Sequence, residues 1–198
     1  MSFRVPRLAL LAAAFGLGLV LCLGLVLVAT GRFNGGPAGA AVIGGPFRLT
    51  DQDDRPISDT DLRGKPFLMF FGFTHCPDVC PTALFEASEV LRALGPEADR
   101  TAVLFVSVDP ERDTPAVLKD YLGSFDPHLR GVTGTPDTIA AVAKAYRVYY
   151  KKIPLEAGDY TMDHTAIVYL MDKQGRFVAP FNMKRPPEQA AADLKKYF

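Results

Sequence analysis

The chain has 198 residues, and its 22 Lys and Arg residues balance its 22 Asp and Glu residues. Because that balance leaves no excess of basic charge to neutralise a phosphate backbone, the composition excludes a nucleic-acid-binding protein. A hydrophobic content of 48% excludes a disordered chain, and 3 cysteines are too few for a disulfide-stapled scaffold. The composition therefore predicts a globular domain joined to one long apolar segment.

The apolar segment spans residues 8–29, which contain no charged residue and are dominated by Leu, Val, Ala and Gly. A helix of this length is about 33 Å long, enough for a hydrocarbon core of about 30 Å. Arg4 and Arg7 precede the segment and Arg32 follows it, so the positive-inside tendency predicts a cytoplasmic N-terminus over residues 1–7. A cleaved signal peptide is the alternative to a retained anchor, but its apolar region would be shorter than this one. We therefore expect a retained single-pass transmembrane anchor.

Residues 30–46 are rich in Gly, with Ala and Pro between the glycines. This composition predicts a flexible linker that lets residues 47–198 stand away from the bilayer. The chain shows no Arg- and Ser-rich leader of the mitochondrial type. We therefore expect the inner (cytoplasmic) membrane of a bacterium, with the C-terminal domain in the periplasm.

Residues 47–198 alternate strand and helix patterns. Two nearly continuous apolar runs, 66–73 and 101–108, predict strands buried on both faces. Thr114 and Thr135, each followed by Pro, predict helix N-caps. Hairpins are predicted at 47–57 and 165–181, and amphipathic helices at 81–94, 114–124, 135–146 and 186–197. The order predicts an α/β fold, a thioredoxin-like sandwich with a central mixed sheet and an N-terminal hairpin.

The residues suited to metal or redox chemistry cluster where the first buried strand ends, in the segment 72–82 (GFTHCPDVCPT). Cys76 and Cys80 are four residues apart at the start of a helix, so both sulfurs lie on one side of its first turn. The partial positive charge of a helix N-terminus favours thiolate over thiol. The pair predicts either soft-metal ligands or a redox-active dithiol. The bland alternatives are a structural disulfide and two buried thiols.

Three motifs resemble the Sco/SenC family of copper proteins, which act in the assembly of cytochrome c oxidase. They are FGFTHCPDVCPT at 71–82, SVDPERDTP at 107–115 and DHTAIVYLMDKQG at 163–175. The resemblance extends over residues 47–198 and implies a thioredoxin-like domain that binds copper, as Cu(I), Cu(II) or both. It implies Cys76, Cys80 and His164 as the copper ligands.

The chain has 3 histidines, so the choice of an imidazole ligand is narrow. His164 opens a predicted strand beside the first buried strand, which brings it near the cysteines. Its structural alternative is a strand-end histidine bonded to a backbone carbonyl. We expect His75 to lie beside the metal ligands or to contact a partner protein. We expect His128 to be solvated in a loop. Two thiolates and one imidazole suit Cu(I) and can hold Cu(II), but zinc fits the same donors.

The segment Asp109–Pro115 (DPERDTP) follows the second buried strand, where open α/β sheets commonly place functional sites. Its charges alternate in sign, and the run from Asp113 to Pro115 is typical of a helix start. We therefore interpret the segment as structural capping rather than as a cluster of catalytic acids.

The resemblance implies a membrane-anchored metallochaperone that passes copper by ligand exchange to the copper-bearing subunit of cytochrome c oxidase. A periplasmic copper donor protein is the expected source of the metal. The alternative is a thiol–disulfide reductase of the oxidase copper site, with Cys76 and Cys80 as the redox pair, or a redox-sensing thioredoxin-like protein. General oxidoreductases of this fold have two residues between their cysteines, whereas this chain has three. We therefore expect a metallochaperone rather than an enzyme.

Overall fold

The computed structural model describes the backbone of residues 7–29 and 43–198. Side chains are described for residues 15–26 and for 43–198 except Ala157. The backbone contacts divide the chain, between residues 42 and 43, into an N-terminal and a C-terminal unit.

The N-terminal unit contains the helix α1 (Arg7–Ala29), over the segment predicted as an anchor at 8–29. Among the described residues, no helix combines the length and the apolarity needed to cross a membrane. Most of the predicted cytoplasmic N-terminus (1–7) and of the predicted linker (30–46) lies outside the described residues.

Residues 43–198 form nine strands and four α-helices. In chain order these are β1 (Arg48–Asp51), β2 (Pro56–Ser58), β3 (Phe67–Gly72), α2 (Val79–Leu94), β4 (Ala102–Ser107), α3 (Pro115–Leu122), β5 (Leu129–Thr133), α4 (Pro136–Ala145), β6 (Tyr150–Pro154), β7 (Tyr160–His164), β8 (Val168–Met171), β9 (Phe177–Pro180) and α5 (Pro187–Lys195). The hairpin β6–β7 is the one pair of strands that the sequence pattern did not predict.

A seven-stranded mixed sheet forms the centre of this unit, in the order β2-β1-β5-β4-β3-β8-β9. β3, β4 and β5 run parallel to one another, whereas β8 pairs antiparallel with β3 and β9 pairs antiparallel with β8. The N-terminal hairpin β1–β2 joins the sheet through β5. The strands β6 and β7 form a separate two-stranded antiparallel sheet.

The two strands that the sequence predicts as buried lie at the centre of the sheet. Every residue of β3 is buried, and in β4 every residue except the half-buried Ala102 is buried. Because β3 and β4 are parallel neighbours, their carboxyl ends meet at one edge of the sheet, where open α/β sheets commonly place sites. The loop with the two cysteines and the loop that begins at Val108 therefore lie side by side.

Candidate metal centre

Cys76 and Cys80 lie directly after β3. This strand ends at Gly72, the next residue, Phe73, is buried, and α2 begins at Val79, which places Cys80 in the first turn of the helix. Both cysteines are free thiols; Cys76 is half-buried and Cys80 is fully buried. The predicted placement at a strand end and a helix start is therefore confirmed.

His164 is the last residue of β7, in the small hairpin β6–β7. The prediction that it opens the strand beside β3 is wrong, because that strand, β8, begins at Val168. The hairpin nevertheless brings the imidazole to the cysteines, with Nε2 of His164 3.6 Å from Sγ of Cys80.

The three predicted ligands form one compact cluster. The sulfur atoms of Cys76 and Cys80 and a ring nitrogen of His164 all lie within 4.8 Å of one another. The backbone N–H of Cys80, in the first turn of α2, donates to Sγ of Cys76 at 3.4 Å. The arrangement offers three donor atoms to a single ion.

The hydrogen bond at Nδ1 of His164 determines which tautomer the ring adopts, and therefore whether Nε2 can coordinate a metal. Nδ1 lies 3.2 Å from the carbonyl oxygen of Thr165, and because a carbonyl only accepts, Nδ1 carries the proton. In the neutral ring, Nε2 therefore presents its lone pair toward Cys80. A carbonyl partner on the far nitrogen is the common arrangement for a histidine that ligates a metal.

Burial shifts the pKa values of Cys80 and His164 in opposite directions. Desolvation raises the pKa of the Cys80 thiol well above its ordinary value, so that sulfur is protonated at neutral pH. Burial also lowers the pKa of His164, against the opposing effect of the Thr165 carbonyl, so the imidazole is neutral. A metal ion that binds at Cys80 has to displace a proton, whereas the imidazole is ready to coordinate.

Two aromatic rings surround the imidazole. Phe70 and Phe73 lie edge-on to His164, with ring centroids 6.3 Å and 5.8 Å away, and both are buried. These rings limit the rotation of the imidazole and keep water from that side of the cluster.

The chemistry of the donor set narrows the choice of metal. Thiolates select soft ions such as Cu(I), and imidazole also suits Cu(II) and zinc. The cluster contains no carboxylate, the ligand type that Mg²⁺ and Ca²⁺ require. The three residues therefore fit a copper site, and by donor type alone they fit zinc as well.

Comparison with known proteins identifies the family. The SCO1/SenC family model matches residues 35–198. The chain belongs to the SCO1/SenC family. "Protein SCO1 homolog 1, mitochondrial" of Arabidopsis thaliana is 43% identical over 146 residues, which are 73% of this chain and 44% of that protein. The chain spans about half the length of its mitochondrial Sco relatives.

Solved Sco structures are similar over most of the chain. ScoI of Bradyrhizobium japonicum, solved with copper bound, is 66% identical with a TM-score of 0.78, covering 79% of this chain and 99% of that one. BsSco is 25% identical with a TM-score of 0.64, and the match covers 79% of this chain and 94% of BsSco. BsSco is a member of the Sco family of cytochrome c oxidase assembly proteins, and a disulfide switch was identified in it. These similarities confirm the thioredoxin-like α/β fold, and Sco homologues have been solved with copper bound.

Asp113 joins the loop after β4 to the cysteine loop of this Sco domain. Its carboxylate is fully buried and accepts hydrogen bonds from the Thr74 N–H (3.1 Å), the Thr74 hydroxyl (2.6 Å) and the Ser107 hydroxyl (2.6 Å). Thr74 precedes Cys76 by two residues. The interpretation of this segment as helix capping is therefore incomplete: Thr114 does cap α3, and Asp113 in addition holds the cysteine loop. The sequence does contain a signal for this second role, because Asp113 is an acidic residue that stands next to the cap residue Thr114 and follows a buried strand.

We expect Asp113→Leu to destabilise the protein. The substitution leaves the Thr74 N–H and two hydroxyl groups without their acceptor in the protein interior, at about 1–3 kcal/mol for each donor left unpaired. Denaturant unfolding followed by circular dichroism measures the loss, with Asp113→Asn as the control because it keeps the shape and one accepting oxygen. Equal stability of the Leu and Asn variants would show that these hydrogen bonds do not hold the loop.

The other two histidines lie outside the cluster. His75 is exposed, and its Nδ1 lies 3.1 Å from the Thr74 hydroxyl. His128 is not simply solvated, since Nδ1 contacts the Asp126 carboxylate at 2.7 Å and Nε2 lies 3.4 Å from Asp99. His164 is thus the histidine that the fold brings to the cysteines.

Proposed function

We propose that this chain binds copper at Cys76, Cys80 and His164 and helps assemble the copper site of a cytochrome c oxidase. The observation that carries the proposal is the cluster of two sulfurs and one imidazole nitrogen within 4.8 Å. Copper-bound ScoI of Bradyrhizobium japonicum supports copper over zinc as the metal. The membership of BsSco among cytochrome c oxidase assembly proteins supports the role in assembly.

Copper is the cargo in this proposal and moves by ligand exchange. Cys80 is fully buried and Cys76 is half-buried, so an incoming thiolate of the oxidase's copper-bearing subunit approaches from the side of Cys76. A new Cu–S bond forms as a bond to Cys76 or His164 breaks, and Cu(I) keeps its oxidation state. Cys80 takes up a proton when the ion departs, since burial favours its thiol form. A periplasmic donor protein loads the site by the same exchange in reverse.

A thiol–disulfide reductase is the second function that particular observations favour. Both thiols are free, and the N–H of Cys80 donates to Sγ of Cys76, the more exposed sulfur. In this reaction the Cys76 thiolate attacks a disulfide of the oxidase copper site, forming a mixed disulfide with one partner sulfur and releasing the other. Cys80 then attacks the sulfur of Cys76 and releases the bound partner sulfur. The partner gains two electrons and two protons, and Cys76 and Cys80 become a disulfide. The disulfide switch of BsSco supports this alternative, and a redox-sensing role uses the same pair.

A Cu(I) titration against a competing chelator distinguishes these functions. We expect the reduced chain to hold one tightly bound copper ion and the oxidised chain to hold none, because a disulfide removes both thiolate ligands. A parallel titration with zinc tests the competing metal. If the reduced chain binds no copper at chelator-limited concentrations, the copper proposal fails. The redox potential of the Cys76–Cys80 pair then becomes the quantity to measure.

We further propose, from the sequence of residues 8–29, that this segment anchors the chain in a bacterial inner membrane, with residues 47–198 in the periplasm. The uncharged apolar sequence of residues 8–29 and the preceding Arg4 and Arg7 support this orientation. Alkaline extraction of membranes is expected to leave the chain in the membrane pellet. Release into the supernatant would contradict the anchor.

A further inference from the structure

The hairpin β6–β7 carries His164 but is not part of the central sheet. Apart from the contacts that His164 itself makes with Cys80 and with the Thr165 carbonyl, the described hydrogen bonds and ion pairs through which side chains join this hairpin to the rest of the domain go to residues 109–112, in the loop after β4. The polar side-chain contacts that attach the body of the hairpin to the domain therefore come from this loop.

Two cationic side chains lie over the ring of Tyr160, the first residue of β7. Cζ of Arg112 is 3.7 Å from the ring centroid, and Nζ of Lys152, in β6, is 4.1 Å from it. Lys152 also forms an ion pair with Glu111 at 2.8 Å. We refer to Arg112, Lys152 and Tyr160 as the cation–aromatic clamp. Such contacts strengthen when water is excluded, and the Arg112 side chain is 18% exposed.

The clamp is attached to the end of β4 through Asp109, which is 1% exposed. Oδ1 of Asp109 accepts from the Tyr160 hydroxyl at 2.8 Å, and Oδ2 accepts from Nε of Arg112 at 2.5 Å. The Asp109 N–H donates to the hydroxyl of Ser107, the last residue of β4. Nη1 of Arg112 also donates to the carbonyl oxygen of Tyr160 at 3.0 Å. Both the ring and the backbone of Tyr160 are therefore held by the loop after β4.

We propose that the cation–aromatic clamp is a positioning device for His164, holding β7 so that Nε2 faces Sγ of Cys80. The inference rests on the proposed function, in which His164 is a copper ligand. Tyr160 and His164 are four residues apart on one strand, so they share a face. Between them Met162 is buried and the intervening Asp163 is exposed, as that alternation requires. A displacement of β7 at Tyr160 is therefore transmitted to the imidazole.

A double-mutant cycle on the full chain tests the proposal. Cu(I) affinity is measured by chelator competition for the parent, Tyr160→Leu, His164→Ala and the double variant. We expect Tyr160→Leu to lower the affinity about tenfold, as for groups that orient a metal ligand. In the His164→Ala background it should cause no further loss, because the residue on which the clamp acts is gone. Equal losses in both backgrounds, or none in either, would overturn the clamp.

Two outcomes separate this proposal from the proposed function. If His164→Ala lowers the affinity but Tyr160→Leu does not, the clamp alone is wrong. If His164→Ala leaves the affinity unchanged, the ligand set is wrong and the clamp falls with it. Amide hydrogen exchange of the metal-free chain gives a second readout: Tyr160→Leu should speed exchange in β7 relative to β3, and unchanged exchange contradicts the proposal.

Two neighbouring lysines in β6 provide a second and milder test of the cation–aromatic clamp. Lys152 is in the clamp, whereas Lys151 is exposed and has no side-chain hydrogen bond or ion pair among the described residues. Lys152→Met should lower Cu(I) affinity and Lys151→Met should not, although both remove one positive charge from the same strand. Equal effects of the two substitutions would show that charge, and not the clamp, is responsible.

Discussion

Replacing Cys76 or Cys80 with Ser is expected to abolish tight Cu(I) binding. Each substitution removes one of two sulfur donors and leaves a hydroxyl group, which is a poor ligand for a soft ion. His164→Ala should weaken binding without abolishing it, since both thiolates remain, and it should affect Cu(II) most. Chelator competition with metal analysis of the purified chain measures the affinity and the stoichiometry.

The third cysteine of the chain provides a matched control for these variants. Cys22 lies in α1 and is exposed, outside the cluster of Cys76, Cys80 and His164. Cys22→Ser should therefore leave Cu(I) affinity and stoichiometry unchanged. If Cys76→Ser, Cys80→Ser and His164→Ala all still bound one copper ion tightly, the proposed ligand set would be wrong.

The parts of this domain that local patterns determine could be predicted from the sequence. Thr114 and Thr135, each followed by Pro, do cap α3 and α4, and their hydroxyl groups accept from the backbone N–H three residues later. The apolar runs that contain β3 and β4 are buried on both faces. The placement of Cys76 and Cys80 could be predicted because it depends only on a strand end, a helix start and the spacing of the two residues, all of which are local.

The hairpin β6–β7 could not be predicted because its stability is not local. Its strands read YKKIP and YTMDH, without the apolar run or the two-residue turn that mark a hairpin. Tyr160 is held by Arg112, 48 residues away along the chain. The misplacement of His164 on the next strand follows from this, since the motif DHTAIVYL contains both the end of β7 and most of β8. The hydrogen bonds between Asp113 and the cysteine loop could not be predicted for a similar reason, since its partner Thr74 is 39 residues away along the chain.

Gly72, at the end of β3, determines how closely the cysteine helix approaches the sheet. A Cβ atom at this position would lie 2.6 Å from Cε2 of Phe105 and 2.7 Å from Sγ of Cys80. Phe105 and Cys80 are both fully buried, so neither group has free space into which to move. The absence of a side chain at Gly72 therefore lets the Cys80 sulfur lie against the strand, at 3.6 Å from the imidazole of His164.

We expect Gly72→Ala to destabilise the domain and to lower its Cu(I) affinity together. Overpacking of a buried position costs about 1–3 kcal/mol, and the group that has to shift is a proposed ligand. Gly45→Ala is the matched control, because its Cβ would make an ordinary contact at 3.4 Å from Cβ of Ala145. Thermal unfolding and chelator competition on the same samples measure both effects. A Gly72→Ala chain that is destabilised but binds copper as the parent does would show that the Cys80 sulfur is not held in place by its contact with β3.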